Sequence, residues 1–235
     1  MTEKDQRISD KFRQKNWNEI KINDSWMIFK IMGEFVRGFE GMSRLGPCVS
    51  MFGSARTQVD HRYYALAEEI AYGITQIGFG IITGGGPGIM EAANKGARRG
   101  GGQSIGLGIE LPFESGNNEF IDKDLSHSFD YFFVRKVLLV KYAQGFVVLP
   151  GGFGTLDELF EAITLIQTDK IGRFPIVLVG RKYWGGLIDW FKDTLLQERK
   201  ISEKDLKLFR VVDTSEEAVG HIKAFYDKYT VKQNF

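Results

Sequence analysis

Five short apolar runs, at residues 49–52, 80–83, 104–109, 146–149 and 176–179, are continuous rather than alternating in polarity. A strand with one face in water alternates. A continuous run needs cover on both faces, the condition of a strand inside a parallel sheet flanked by helices. Residues 208–212 are a candidate sixth strand. Between the runs lie helically spaced apolar patterns over 63–77, 89–99, 132–142, 156–168, 187–198 and 216–229. Strand and helix therefore alternate along the chain, which predicts an α/β fold with a doubly wound parallel sheet and a ligand site beyond the C-terminal ends of the strands.

The first 46 residues do not join this alternation. Ile22, Trp26, Phe29, Met32, Val36 and Phe39 fall on one helical stripe among polar residues, so the segment reads as a helical extension. The expected organisation is an N-terminal helical extension over 1–46 and a single α/β domain over 47–235. The stripe either packs on its own domain or forms an oligomer contact.

Composition removes several function classes. Lys and Arg number 31 against 30 Asp and Glu. That balance argues against nonspecific binding to nucleic acid or to an anionic membrane, both of which favour a basic excess. Cys48 is the single cysteine, so neither an intrachain disulfide nor a thiolate-rich metal site is expected. His61, His127 and His221 are scattered without metal-ligand spacing. The N-terminus is charged from its third residue and shows no signal-peptide pattern. Residues 70–90 carry no charge but are interrupted by glycines and a proline, and read as helix end, strand and loop rather than a membrane span. The expected location is the cytoplasm.

Glycine is the outlier, at 28 of 235 residues against a usual share of ~7%. It is concentrated in loops that follow the apolar runs: Gly53-Ser54-Ala55-Arg56, then Gly84-Gly85-Gly86-Pro87-Gly88-Ile89-Met90-Glu91, then Pro150-Gly151-Gly152-Phe153-Gly154-Thr155-Leu156-Asp157-Glu158. In one parallel sheet all three would meet at the same edge, and each leads into a helix. Helix N-termini offer unpaired N–H groups and a favourable dipole, so a phosphate-bearing ligand is the first expectation. The glycine spacing matches neither the dinucleotide fingerprint nor the P-loop, and no serine-hydrolase elbow is present.

These motifs, together with Arg135-Lys136, resemble the LOG ("lonely guy") family, long labelled lysine decarboxylases. The likeness covers about residues 47–230, and the PGGxGTxxE motif is its most specific part. The resemblance implies a Rossmann-like fold, a homodimer or higher homo-oligomer, and a phosphoribohydrolase activity without metal or redox cofactor. That activity splits adenine-type nucleoside 5′-monophosphates, cytokinin nucleotides included, into free base and ribose 5-phosphate. By position, Arg135 and Glu158 match the family's catalytic pair. Gly53, Ser54, Gly84, Gly85, Gly86, Lys136, Gly151, Gly152, Gly154 and Thr155 match its nucleotide-contacting positions. Two departures from the plant-type pattern bear on base preference: Leu138 stands where plant members carry glutamate, and the second loop reads GGGPGIM instead of GGGSVGLM.

The chemistry is consistent with these roles. Breaking an N-glycosidic bond develops positive charge at the ribosyl carbon, where a carboxylate can stabilise charge or deprotonate water. An arginine can hold phosphate or ribose hydroxyls with a fixed fork of donors. Each residue also has a plainer reading. Thr155-x-x-Glu158 is a capping-box pattern, as is Thr214-x-x-Glu217. Phe129, Tyr131, Phe132 and Phe133 read as core, with base stacking by one of them the alternative. At the level of function the rival is a noncatalytic nucleotide-binding sensor or carrier. A pyridoxal-dependent decarboxylase has no support beyond isolated lysines.

Overall fold

In the computed structural model, residues 17–110, 116–230 and 234 are described. The chain divides into two units, Met1–Arg37 and Gly38–Phe235. Helix α1 (Trp17–Met42) runs through that division. Along it Trp26, Phe29, Met32 and Val36 are all exposed, and the Trp26 and Phe29 rings lie 6.1 Å apart. The side chain of Ile22, the first member of the expected stripe, lies outside the described residues.

The second unit is built on seven parallel strands: β1 (Cys48–Phe52), β2 (Gly80–Thr83), β3 (Ser104–Ile109), β4 (Ser126–Phe129), β5 (Ala143–Val148), β6 (Ile176–Val179) and β7 (Phe209–Val212). Their order across the sheet is β4-β3-β2-β1-β5-β6-β7. The chain winds outward from β1 to β4, returns to place β5 against β1, and winds outward the other way. Ser50 of β1 pairs with Phe146 of β5, and Cys48 with Gly80 of β2. The reversal of direction between β1 and β5 is the topological switch point, where an open α/β sheet leaves a crevice for ligand.

Helices cover both faces, as the continuous apolar runs require. On one face α2 (Arg62–Gln76), α3 (Ile89–Arg99) and α7 (Ser215–Tyr226) bury Ile70, Ile74, Ala92, Ala93 and Ile222 against Val49, Met51, Ile81, Val147 and Val177. The opposite face of β1 meets α4 (Phe132–Lys141), where the Ser50 hydroxyl donates to the Leu139 carbonyl at 3.0 Å. Helices α5 (Phe153–Gln167) and α6 (Arg181–Trp190) complete the alternation, and α6 continues as a π-helical turn, Phe191–Leu196. Among the described residues no helix is long and apolar enough to cross a membrane.

The doubly wound sheet is as expected, and the uncharged 70–90 stretch is indeed the end of α2, strand β2 and a loop. Several bounds differ: β5 starts at Ala143, three residues before the apolar run at 146, and α7 ends at Tyr226, three residues before 229. Strand β4 was not foreseen because its sequence, Ser-His-Ser-Phe, lacks an apolar run. It is an edge strand with only Phe129 buried. Helix α6 begins at Arg181, directly after Gly180 at φ +104°, and not near 187. Helix α5 begins at Phe153, three residues before the expected start.

Candidate active site

The three glycine loops meet at the C-terminal edge of the sheet, tied by backbone bonds. The Ser54 N–H donates to the Pro150 carbonyl at 3.0 Å, and the Ile89 N–H donates to the Ser54 carbonyl at 3.1 Å. The second contact is close enough to require glycine at 88. Its φ is +68°, and a side-chain carbon there would lie 2.5 Å from the Ser54 carbonyl oxygen, so no other residue fits without strain. Between the loops opens a cavity of about 920 Å³ at the switch point.

Glu158 lies one turn and a half into α5, 4% exposed, on the cavity wall. Arg135, in the first turn of α4, faces it with Nη2 3.7 Å from Oε1. The other carboxylate oxygen, Oε2, is buried and has no hydrogen-bond partner among the described residues. Burial pushes the Glu158 carboxyl up to about 7, against the lowering pull of Arg135 and Lys136. A buried carboxyl poised near neutrality in a cleft is what acid–base chemistry requires. The Arg135 guanidinium also lies over the Phe132 ring, 5.1 Å from its centroid.

Of the sequence-predicted residues, Gly53, Ser54, Gly84, Gly86, Arg135, Gly152, Gly154, Thr155 and Glu158 line the cavity. Gly85, Lys136 and Gly151 do not, and each is engaged elsewhere. The Gly85 N–H donates to Thr83 Oγ1 at 3.0 Å, and the Gly151 carbonyl accepts from the Tyr183 hydroxyl at 2.6 Å. Lys136 is held by Asp157 at 2.6 Å and Glu161 at 2.9 Å. The cationic start of α4, unfavourable for its own dipole, is thus matched by acids of α5.

The capping reading of Thr155 and Glu158 fails. The N-cap of α5 is Gly152, so Thr155 is the third helical residue and Glu158 lies beyond the first turn. Thr214, by contrast, is the N-cap of α7 and accepts from the Glu217 N–H at 3.2 Å, while Glu217 Oε2 accepts from the Asp213 N–H at 2.8 Å. The identical spacing therefore caps one helix and not the other. The core reading of the aromatics holds for Phe129 but not for Phe132 and Phe133, which are about half exposed. Phe132 lines the cavity.

The sequence reading missed Glu110, Asn117 and Ser128 on the cavity wall, and quoted Arg56 in the first glycine loop without giving it a role. Arg56 closes the first glycine motif. Asn117 and Ser128 belong to the unforeseen segment around β4 and carried no signal. Among the described residues no three His, Cys, Asp or Glu side chains are grouped to hold a metal ion.

Comparison with known proteins agrees with this architecture. The family described as "Possible lysine decarboxylase" matches residues 90–222. The cytokinin riboside 5′-monophosphate phosphoribohydrolase of Mycobacterium tuberculosis is 34% identical over 163 residues, which are 66% of this chain and 82% of that protein. The enzyme of the same name, LOG, from Oryza sativa is 26% identical over 172 residues, 72% of this chain and 69% of its own. In fold, the molybdenum cofactor carrier protein of Chlamydomonas reinhardtii superposes with a TM-score of 0.59 at 23% identity, covering 77% of this chain and 99% of that one. With its glycine loops, its Arg135–Glu158 pair and these relatives, the chain belongs to the LOG family, the group described as possible lysine decarboxylases.

Proposed function

We propose that the protein is a phosphoribohydrolase that cleaves adenine-type nucleoside 5′-monophosphates to free base and ribose 5-phosphate. The observation that carries this reading is the buried Glu158 carboxyl, raised to about 7 and facing Arg135 across a glycine-walled cleft. Relatives named as cytokinin riboside 5′-monophosphate phosphoribohydrolases support it.

In this reading the phosphate lies against the first turn of α5, where Gly152 and Gly154 have open space in place of side chains. The ribose extends toward Glu158. The C1′–N bond breaks with its electron pair passing to the base, which takes up a proton. Ionised Glu158 stabilises the cationic ribosyl carbon and accepts a proton from the water whose oxygen bonds C1′. Arg135 holds the sugar or phosphate oxygens and keeps the carboxylate in place. The working form is a homodimer or larger, in the cytoplasm, with a small nucleotide as its ligand.

Incubation of the pure protein with a panel of nucleoside monophosphates, followed by chromatography, tests the reading. Free base and ribose 5-phosphate are the expected products. Tight binding with no product from any nucleotide favours a carrier or sensor instead.

A further inference from the structure

The second glycine loop is held from behind by an amide network, buried at Asn94 and half-buried at Asn118. Asn118 donates its backbone N–H to the Gly85 carbonyl at 2.8 Å, and its side-chain Nδ2 reaches the Gly85 carbonyl at 3.0 Å and the Gly86 carbonyl at 3.1 Å. The same Nδ2 meets Asn94 Oδ1 at 3.0 Å. Asn94 is fully buried in α3, and its orientation is fixed by its other bonds. Its Oδ1 accepts from the Thr83 hydroxyl at 2.6 Å, and its Nδ2 donates to Ser104 Oγ and the Ile105 carbonyl at 3.0 and 3.2 Å. With every polar atom engaged, the amide has one satisfied orientation.

The peptide planes of the loop follow from these bonds. There is no cis peptide bond among the described residues, and in a trans peptide the carbonyl and the following N–H point in opposite directions. With the Gly85 carbonyl drawn to Asn118, the Gly86 N–H is turned the other way. Gly86 lines the cavity and Asn118 does not. The Gly85 N–H is already bound to Thr83 Oγ1, and Pro87 has no N–H. The donor whose direction these bonds set is therefore the Gly86 N–H.

We infer that Asn118 is a positioning residue for substrate. Anchored by Asn94, it turns the Gly86 N–H into the cavity as a fixed donor for an anionic phosphate oxygen. A preset donor aligns without reorganisation at the moment of binding, and a hydrogen bond to a charged acceptor is stronger than a neutral one. This rests on the phosphate-bearing substrate proposed above.

The test compares ribose 5-phosphate with adenosine, which lacks the phosphate, by calorimetric titration of the wild type, Asn118→Asp and Asn118→Ala. The aspartate keeps the size and the acceptor for the Phe120 N–H but replaces the donor that holds the loop. Ribose 5-phosphate should bind at least tenfold more weakly to both variants, with adenosine unchanged within twofold. Ile222→Val, in the core contributed by α7, serves as a control for lost stability and should bind both normally. Unchanged affinity for ribose 5-phosphate, or parallel loss of both ligands, overturns the inference. In the wild type the Gly86 amide resonance should shift with ribose 5-phosphate and not with adenosine, a measurement that stands even where a variant fails to fold. A wild type that binds adenosine monophosphate but leaves the Gly86 amide unmoved overturns the role of Asn118 alone. A wild type that binds no phosphorylated ligand overturns the phosphoribohydrolase reading and this inference with it.

Discussion

Arg135 and Glu158 face each other at 3.7 Å, longer than the 2.7–2.9 Å of a charge-assisted hydrogen bond. They attract without locking together. The guanidinium stays close enough to hold the carboxylate in place, while Oε2 of Glu158 is left with no hydrogen-bond partner among the described residues. Helices α4 and α5, entered from β4 and β5, set that separation.

The first prediction is the effect of removing the charge. Glu158→Gln should lower single-turnover cleavage by about 10²–10⁴-fold, the usual range for a positioned acid or base, while the protein still folds and binds nucleotide. Glutamine keeps the shape but neither accepts a proton from water nor stabilises a cation by charge. Rapid-quench measurement of base release, with nucleotide affinity measured in parallel, checks it. Near-normal cleavage by the variant would remove Glu158 from the chemistry.

The raised carboxyl has a second consequence, in pH. Its folded pKa of about 7 lies above the ordinary 4.5, so the folded chain binds this proton more tightly than the unfolded chain. The contribution of the group to stability is full below pH 4.5. It falls as pH rises toward 7 and is flat above. Wild type should therefore lose melting temperature relative to Glu158→Gln across that window. Cleavage should rise with pH through about 7 as the carboxylate forms, and Arg135→Ala should move that limb to higher pH because the guanidinium favours the charged form. A rate independent of pH between 5 and 8 contradicts the assignment.

Thr155 and Thr214 separate function from capping. Thr214→Val removes a true N-cap hydroxyl and should cost about 1 kcal/mol of stability with cleavage unchanged. Thr155→Val is nearly isosteric within α5 and removes no cap, so its melting should change less. If the hydroxyl meets the phosphate, its nucleotide affinity should fall. Thermal melting and nucleotide titration of the two proteins make the comparison.

Gly152 and Gly154 offer a sharper contrast, because a side-chain carbon at either meets no atom within 4 Å. Gly154→Ala lies inside a helix, where alanine is the better residue by about 0.5–1 kcal/mol. The variant should melt no lower than wild type yet bind nucleotide more weakly, since the new methyl group occupies the proposed phosphate cradle. Retained affinity would place the phosphate elsewhere.

The last prediction concerns assembly. Trp26, at 66% exposure, with Phe29, Met32 and Val36 also exposed, leaves a run of large apolar side chains along α1 in water, an arrangement that marks an interaction surface. The protein should elute as a dimer or larger in light scattering, and Trp26→Glu with Phe29→Glu should reduce its mass. A monomer at micromolar concentration contradicts this.

The α/β architecture was determined locally. Continuous apolar runs, each followed by a helical pattern, admit little besides a parallel sheet covered on both faces, and the glycine loops at the strand ends marked where a ligand would lie. Strand β4 was hidden because only its last residue, Phe129, is buried, so Ser126, His127 and Ser128 carry no apolar signal. The tertiary structure alone decided which residues at matching positions reach the cavity. Lys136 follows Arg135 directly, but successive helical residues point about 100° apart, and only Arg135 faces Glu158. Thr155-x-x-Glu158 and Thr214-x-x-Glu217 are the same pattern, but where a helix starts depends on how the preceding loop is anchored. In α5 the N-cap is Gly152, and the shift carries Glu158 away from the cap and into the cleft. The positions of Asn94 and Asn118 belong to the same class. They lie 24 residues apart, one in α3 and one in a loop, and only the closed fold brings them behind one glycine loop.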